Sequence, residues 1–302
     1  MLTPRLQNVL HPRFCLAIAA ALLTFEAAAE ERYESPRSLG MGSALRGAAA
    51  ANAALFTNPA GLAATKLFHL EGAYQFQSEL EGHAGHASVV DSTTPVSGGF
   101  GATYFTWDPE FQNVSGYDMR ITLAFPASDM FFIGATGKYL DLQAGGVPEG
   151  ALPSEEPGSV ARGITFDAGA MVRLGQLVSL GVSGYNLRRL PGDQYPQGIG
   201  GGIGFAPFDL LLIDFDVVYD LPHEGGSRGR YLGGLEYFAG GQYPVRLGYR
   251  YSEKTETDDR SQDLTAGLGY VDPRFAVDLG GRRQVRGGDE TVVSAALRIF
   301  AN

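Results

Sequence analysis

The chain has 302 residues and a formal charge of −10, with 44% hydrophobic residues, 42 glycines and a mean hydropathy of −0.05. An acidic balance of this size argues against nucleic acid as a partner, because phosphate recognition needs a basic surface. The composition is too apolar for disorder and too evenly polar for a bundle of membrane helices, and it is what a greasy exterior and a wet interior average to.

Residues 1–29 read as an export signal. Arg5 and Arg13 form its basic region, Leu16 to Leu23 with Phe14 its short apolar core, and Ala27-Ala28-Ala29 its small-residue cleavage site. No later window offers the roughly twenty continuous apolar residues of a transmembrane helix. Cys15, the one cysteine, falls inside the signal, so the exported chain is expected to carry neither disulfide nor thiolate metal site, and no metal or other cofactor is expected.

Residues 30–65 fit no membrane strand. The stretch from Ser35 to Thr65 is rich in alanine and glycine, and Pro59 with Gly61 is placed to close a short helix. A compact segment with such small side chains can pack inside a lumen without filling it.

From residue 66 to residue 302 the pattern changes to short alternating runs, each ending in a turn. In Leu211 to Tyr219, Leu211, Ile213, Phe215, Val217 and Tyr219 share one face, while Leu212, Asp214, Asp216 and Val218 share the other. Tyr243 to Ser252 repeats the rule, with Arg246 and Arg250 on its polar face. About fourteen such strands, near the nine to eleven residues a tilted strand needs to cross hydrocarbon, centre on Phe68–Phe76, Gly82–Val90, Val96–Tyr104, Gly116–Phe125, Phe131–Leu142, Ile164–Arg173, Leu177–Leu187, Gln197–Phe205, Leu210–Asp220, Arg230–Phe238, Tyr243–Ser252, Asp263–Tyr270, Phe275–Arg282 and Thr291–Phe300. The second, third and eighth are glycine-rich and weak, which leaves twelve strands as the alternative.

Connection lengths separate a membrane barrel from a soluble sandwich. Tight turns near Ala127-Ser128, Gly175-Gln176, Pro207-Phe208, Gly240-Gly241 and Asp272-Pro273 alternate with longer connections around 145–159, 188–196, 222–229 and 253–261, as short periplasmic turns alternate with outer loops. The implied fold is an all-β, antiparallel outer-membrane barrel of about fourteen strands in a Gram-negative cell, with lipid and lipopolysaccharide around it. Outward positions such as Tyr117, Met119, Ile121, Leu123 and Phe125 carry no charge. Asp118, Arg120, Lys138, Asp167, Arg173, Asp214, Asp216, Glu236, Arg246, Arg250, Asp278, Arg282 and Arg298 fall inward, with both signs present for lumenal ion pairs. Asp214 and Asp216 would face Glu236 and Arg246 on neighbouring strands, as a structural plug or as a selectivity lining. Tyr104, Trp107, Tyr139, Tyr219, Tyr237, Tyr251 and Tyr270 near strand ends suit interfacial girdles. In the last strand, strict alternation turns Phe300 inward.

The run Ser38-Leu39-Gly40-Met41-Gly42, a small-residue stretch and then Asn58-Pro59-Ala60-Gly61-Leu62 resembles the N-terminal hatch signature of the FadL-type hydrophobic-compound channels and their PorV-like relatives. The resemblance implies a fourteen-stranded barrel blocked by an N-terminal hatch, with Gly40, Met41, Gly42, Asn58, Pro59, Ala60 and Gly61 in that hatch. In FadL-type members substrate passes by hatch movement and leaves sideways through the wall. Ala48 to Ala51 replaces acidic residues common midway through the signature, and the chain is short, two features that resemble the PorV-like branch.

Enzyme chemistry finds no support in the residues. His83 and His86 lie near Ser88 and Asp91, yet three positions along a strand put the two histidines on opposite faces. His69 and Glu71 share a face, but two side chains make neither a metal site nor a triad. Gly198, Gly200, Gly201, Gly202 and Gly204 precede no helix start, so they read as lumen room or strand bending rather than a phosphate cradle. Two functions remain. One is a channel passing hydrophobic small molecules by hatch-gated diffusion. The other is a PorV-like assembly or secretion-system subunit that binds protein partners.

Overall fold

The computed structural model describes residues 33–79, 81–107, 114–144, 159–190, 195–221, 228–253 and 260–301. The expected export signal and most of the expected outer loops lie outside the described residues.

Fourteen antiparallel strands close into one barrel: β1 (Phe68–Gln77), β2 (Gly82–Asp91), β3 (Ser97–Trp107), β4 (Val114–Pro126), β5 (Phe131–Ala144), β6 (Ser159–Leu174), β7 (Val178–Tyr185), β8 (Gln197–Phe208), β9 (Leu211–Leu221), β10 (Arg228–Ala239), β11 (Tyr243–Ser252), β12 (Ser261–Val271), β13 (Phe275–Arg286) and β14 (Thr291–Phe300). The barrel closes where β1 pairs with β14, from His69 opposite Phe300 to Gln77 opposite Val292. Closure leaves no edge strand with unpaired backbone groups, which is what a wall in hydrocarbon requires. The glycine-rich β2, β3 and β8 are full members, so the number is fourteen and not twelve.

Alternation runs opposite to that of a soluble protein. On β9, Phe215 is 63% exposed to the outside, whereas Asp214 is 0% and Asp216 2% exposed. Ile121, Leu123, Leu247 and Leu268 project from other strands in the same way. An apolar surface continuous around the cylinder far exceeds what a monomer keeps in water, and it is a lipid-facing band. Tyr243, Tyr270 and Phe275 form an aromatic ladder at the end with short turns, with centroids 5.4 and 5.7 Å apart. Tyr104–Tyr117 and Tyr231–Tyr251 make pairs nearer the long-loop end, at 5.0 and 6.0 Å. Trp107 departs from the girdle expected for it. Three positions from the outward Tyr104, it points into the barrel, where it is 7% exposed.

Residues 33–65 are enclosed by the barrel, and this lumenal segment is called the hatch for its position. Helix α1 (Pro36–Gly40) is capped by Ser35, whose Oγ accepts from Ser38 N at 3.3 Å, and proline stands in its first turn. Two 3₁₀ segments follow, at Ala51–Leu55 and Pro59–Ala64. Pro59 therefore opens a helical turn instead of closing one: Asn58 is its cap, accepting from Ala60 N at 3.2 Å, and a proline's missing N–H costs nothing at that first position.

Introducing a charge on the outer face at mid-height tests this orientation. Phe215→Arg is expected to destabilise the barrel by about 2–4 kcal/mol in bilayer-based denaturant titrations followed by heat-modifiable gel mobility, whereas Phe215→Leu stays within about 1 kcal/mol of the wild type.

Candidate functional site

The hatch is held by two devices, one steric and one ionic. Inward glycines on the wall let it come close. At Gly181 a β-carbon would overlap Arg46 O, at Gly234 it would overlap Met41 O, and at Gly280 it would overlap Pro36 O. Gly134 leaves room for Pro59 in the same way, since a β-carbon there would stand 2.6 Å from the Pro59 carbonyl carbon. Three of the β8 glycines, Gly200, Gly202 and Gly204, also lie against the hatch. Gly200 faces the Arg46 side chain and Gly202 the Asp216 carboxylate with Gly47 N behind it, so the lumen room expected of them is taken up by the Arg46–Asp216 contact, and Gly198 instead makes space for the Tyr185 ring.

The ionic device starts within the hatch. Arg37 meets Glu236 at 2.7 Å, Glu236 meets Arg246 at 2.6 Å, and Arg246 meets Asp278 at 2.6 Å. Asp278 continues to Arg298, which reaches Glu71 at 3.4 Å. A second branch runs from Glu34 to Arg282 at 2.9 Å and to Arg250 at 3.4 Å, with Asp263 closing on Arg250 at 2.7 Å. Asp216 accepts from Leu45 N at 3.0 Å, Arg46 N at 2.9 Å and the Arg46 guanidinium at 3.3 Å. On the opposite wall Asp118 holds Arg120 at 2.6 Å and Lys138 meets Asp167 at 2.7 Å.

The signature residues have separate duties. Gly40 packs on Gly267, and Gly42, at φ 63°, turns the chain where a β-carbon would stand 2.8 Å from Gly233 O. Met41 is fully buried beside Leu45 and Ala53. Asn58 donates to Arg46 O and to Ala170 O, both at 3.1 Å, which ties two arms of the hatch to β6. Ala60 joins the apolar cluster below, and Gly61 lies so close to Ala49 O that a side chain would overlap it.

All nine lumen charges singled out in the sequence face inward: Asp118, Arg120, Asp214, Asp216, Glu236, Arg246, Arg250, Asp278 and Arg282. One expected pairing fails. Asp214 stands opposite Gly234 and Asp216 opposite Leu232, so neither faces Glu236, which instead opposes Arg246 directly. Asp214 lies instead against the backbone of Ala48 and the Asp216 carboxylate. Three partners were missed: Glu34, Arg37 and Arg46. Two arginines in an otherwise small, uncharged stretch were the signal, since a cation among alanines needs an acid elsewhere. His69 and Glu71 do share the inner face, while His83 is exposed outside and His86 buried inside.

Two apolar clusters lie among these polar side chains in the lumen. Toward the long-loop end, Tyr33 of the hatch packs with Phe105, Trp107, Val114, Leu140 and Tyr195. Toward the short-turn end, Leu55, Leu62 and Ala63 pack with Val90, Phe132 and Met171. The ion pairs that reach from the hatch to the wall lie on β9 to β14, while the β4–β6 wall keeps the Asp118–Arg120 and Lys138–Asp167 pairs within itself beside the apolar clusters.

Solved structures with this architecture were found. CymD, a monoaromatic hydrocarbon channel, superposes with a TM-score of 0.70 at 14% identity over 89% of this chain and 97% of its own. The toluene transporter TbuX of Ralstonia pickettii gives 0.68 at 14% identity, over 90% and 99%. A FadL homologue of Pseudomonas aeruginosa gives 0.66 at 13% identity, over 88% and 98%. The fold is that of the FadL-type channels. No protein-family model and no curated protein sequence matches the chain.

Removing one partner of a buried pair strands the other, at a cost of about 3–5 kcal/mol. Asp216→Ala is therefore expected to loosen the hatch without opening the barrel. Limited proteolysis should then cut within residues 33–65 while the wall keeps its folded gel mobility, and wild-type protein should resist cleavage at the same protease dose.

Proposed function

We propose that the protein is an outer-membrane channel of a Gram-negative bacterium that passes hydrophobic small molecules by diffusion past an N-terminal hatch, without nucleotide or ion coupling. One observation carries the reading: apolar clusters at both ends of the lumen flank the hatch on the β2–β6 side, and an apolar lining with a few placed polar groups suits a greasy solute. The fold likeness supports it, since CymD is described as a monoaromatic hydrocarbon channel and TbuX as a toluene transporter. In this reading residues 1–29 export the chain, the short-turn end faces the periplasm, and lipid and lipopolysaccharide surround the apolar band.

A second reading has its own support. The ion-paired half of the lumen ties hatch to wall through at least two branches, as suits a plugged barrel serving a PorV-like assembly or secretion role with protein partners.

Uptake separates the two. In Gram-negative cells lacking their own channels of this fold, expression of the chain is expected to raise the initial rate of radiolabelled toluene uptake above a vector control. Equal rates with correctly assembled barrel would contradict the channel reading, and a protein partner retained on the purified barrel would then favour the second.

A further inference from the structure

Phe56 is the side chain, among the described residues, that packs on both apolar clusters of the lumen. It follows the 3₁₀ segment Ala51–Leu55 and is only partly buried, whereas Leu55 and Thr57 beside it are buried. Its ring lies 4.3 Å under the Arg120 guanidinium, 5.2 Å from the Tyr33 ring and 5.3 Å from the His86 imidazole, edge-on. Each of these three walls is fixed by something other than Phe56. Three contacts to Asp118, at 3.0, 3.1 and 2.6 Å, and one to Leu55 O at 3.1 Å hold Arg120. Thr103 holds His86 Nδ1 at 2.8 Å, and Tyr33 stacks on His86 at 4.5 Å. If the phenyl ring swings away, the seat it leaves keeps its shape and its cation.

We infer that the Phe56 side chain is the moving part of the hatch, and that its seat between Arg120, Tyr33 and His86 is a transient station for one planar aromatic ring of the solute. The inference rests on the channel reading and says which part of the hatch moves. The hatch backbone on either side is pinned, by Asp216 at Leu45 and Arg46 and by Asn58 on β6, and the segment's own Asn52 donates to Ser88 at 2.7 Å. A side-chain rotation breaks none of these contacts, whereas withdrawal of the hatch breaks all of them. A guanidinium over the seat favours a ring over a saturated chain of equal size, because only the ring presents a negative face.

The test uses the same cells and two probes, toluene and n-heptane. Ala48→Cys with Gly204→Cys would staple hatch to wall, since a β-carbon at Gly204 stands 3.0 Å from Ala48 Cβ, so that the pair has to part by about 0.5 Å to reach disulfide geometry while the Ser179 hydroxyl, 2.6 Å away, rotates aside. Toluene uptake by the oxidised pair is expected to match that of the same pair reduced with dithiothreitol. Phe56→Ala is expected to raise toluene uptake by about fivefold, and wild type is expected to favour toluene over n-heptane by about fivefold. Uptake that stops on oxidation and returns on reduction would overturn the inference, as would Phe56→Ala uptake equal to wild type. Should the staple not form, Phe56→Trp decides, with slower toluene uptake expected and an unchanged rate contradicting the gate. Toluene uptake absent from wild type itself would remove the channel reading, an outcome distinct from a blocked staple in an active channel.

Discussion

One carboxylate, Asp216, shows the constraint on which the structure depends: a charge driven off a lipid-facing wall must find its counterpart inside the cylinder. Period two leaves each strand residue only two directions, and hydrocarbon forbids one of them to acids and bases. The wall alone cannot satisfy Asp216, whose register neighbours are Leu232 and Gly202. The hatch can, with two backbone N–H groups and the Arg46 guanidinium on one oxygen. The same logic places Arg37 on Glu236 and Glu34 on Arg282. The N-terminal segment is thereby part of the charge balance of the barrel. Its seat is specific because a buried pair tolerates no mismatch, even where the pair adds little net stability.

Small side chains make this possible. A hatch backbone can reach an Asp on the wall only where neighbouring wall positions have no β-carbon in the way, as at Gly181 and Gly234. Those glycines weaken their strands locally, and the closed ladder of fourteen strands compensates by pairing every neighbour. The ion pairs between hatch and wall are then concentrated on one side of the lumen, on β9 to β14. The β9–β14 side holds the hatch by ion pairs, and the β2–β6 side presents phenyl, indole and aliphatic groups beside the Asp118–Arg120 and Lys138–Asp167 pairs. A solute crossing on the second side need not disturb the first.

The barrel was legible because its determinants are local. Strands such as β9 and β11 announce themselves by alternation, counting such runs gave about fourteen with twelve as the alternative, and loop sorting separated a barrel from a sandwich. The hatch motif was legible as a motif but not as a set of contacts. Asn58 reads as turn chemistry in sequence, while its bonds to Arg46 O and Ala170 O depend on residues 12 and 112 positions away. The expected pairing of Asp214 and Asp216 with Glu236 failed because alternation gives the face but not the register, and a shift of two residues along β10 changes every opposite partner. Trp107 was misplaced by weighing residue type above parity with Tyr104, and the β8 glycines were read without the groups that fill the room they leave.

Hydrogen exchange of the assembled barrel in bilayers tests most directly whether the hatch is a fixed member of the fold. If Asp216 and the ion-pair branches hold it, the Leu45 and Arg46 amides should exchange as slowly as the paired amides of β9 and β10. Exchange of those two amides at the rate of an unstructured peptide, with the wall still protected, would contradict the account.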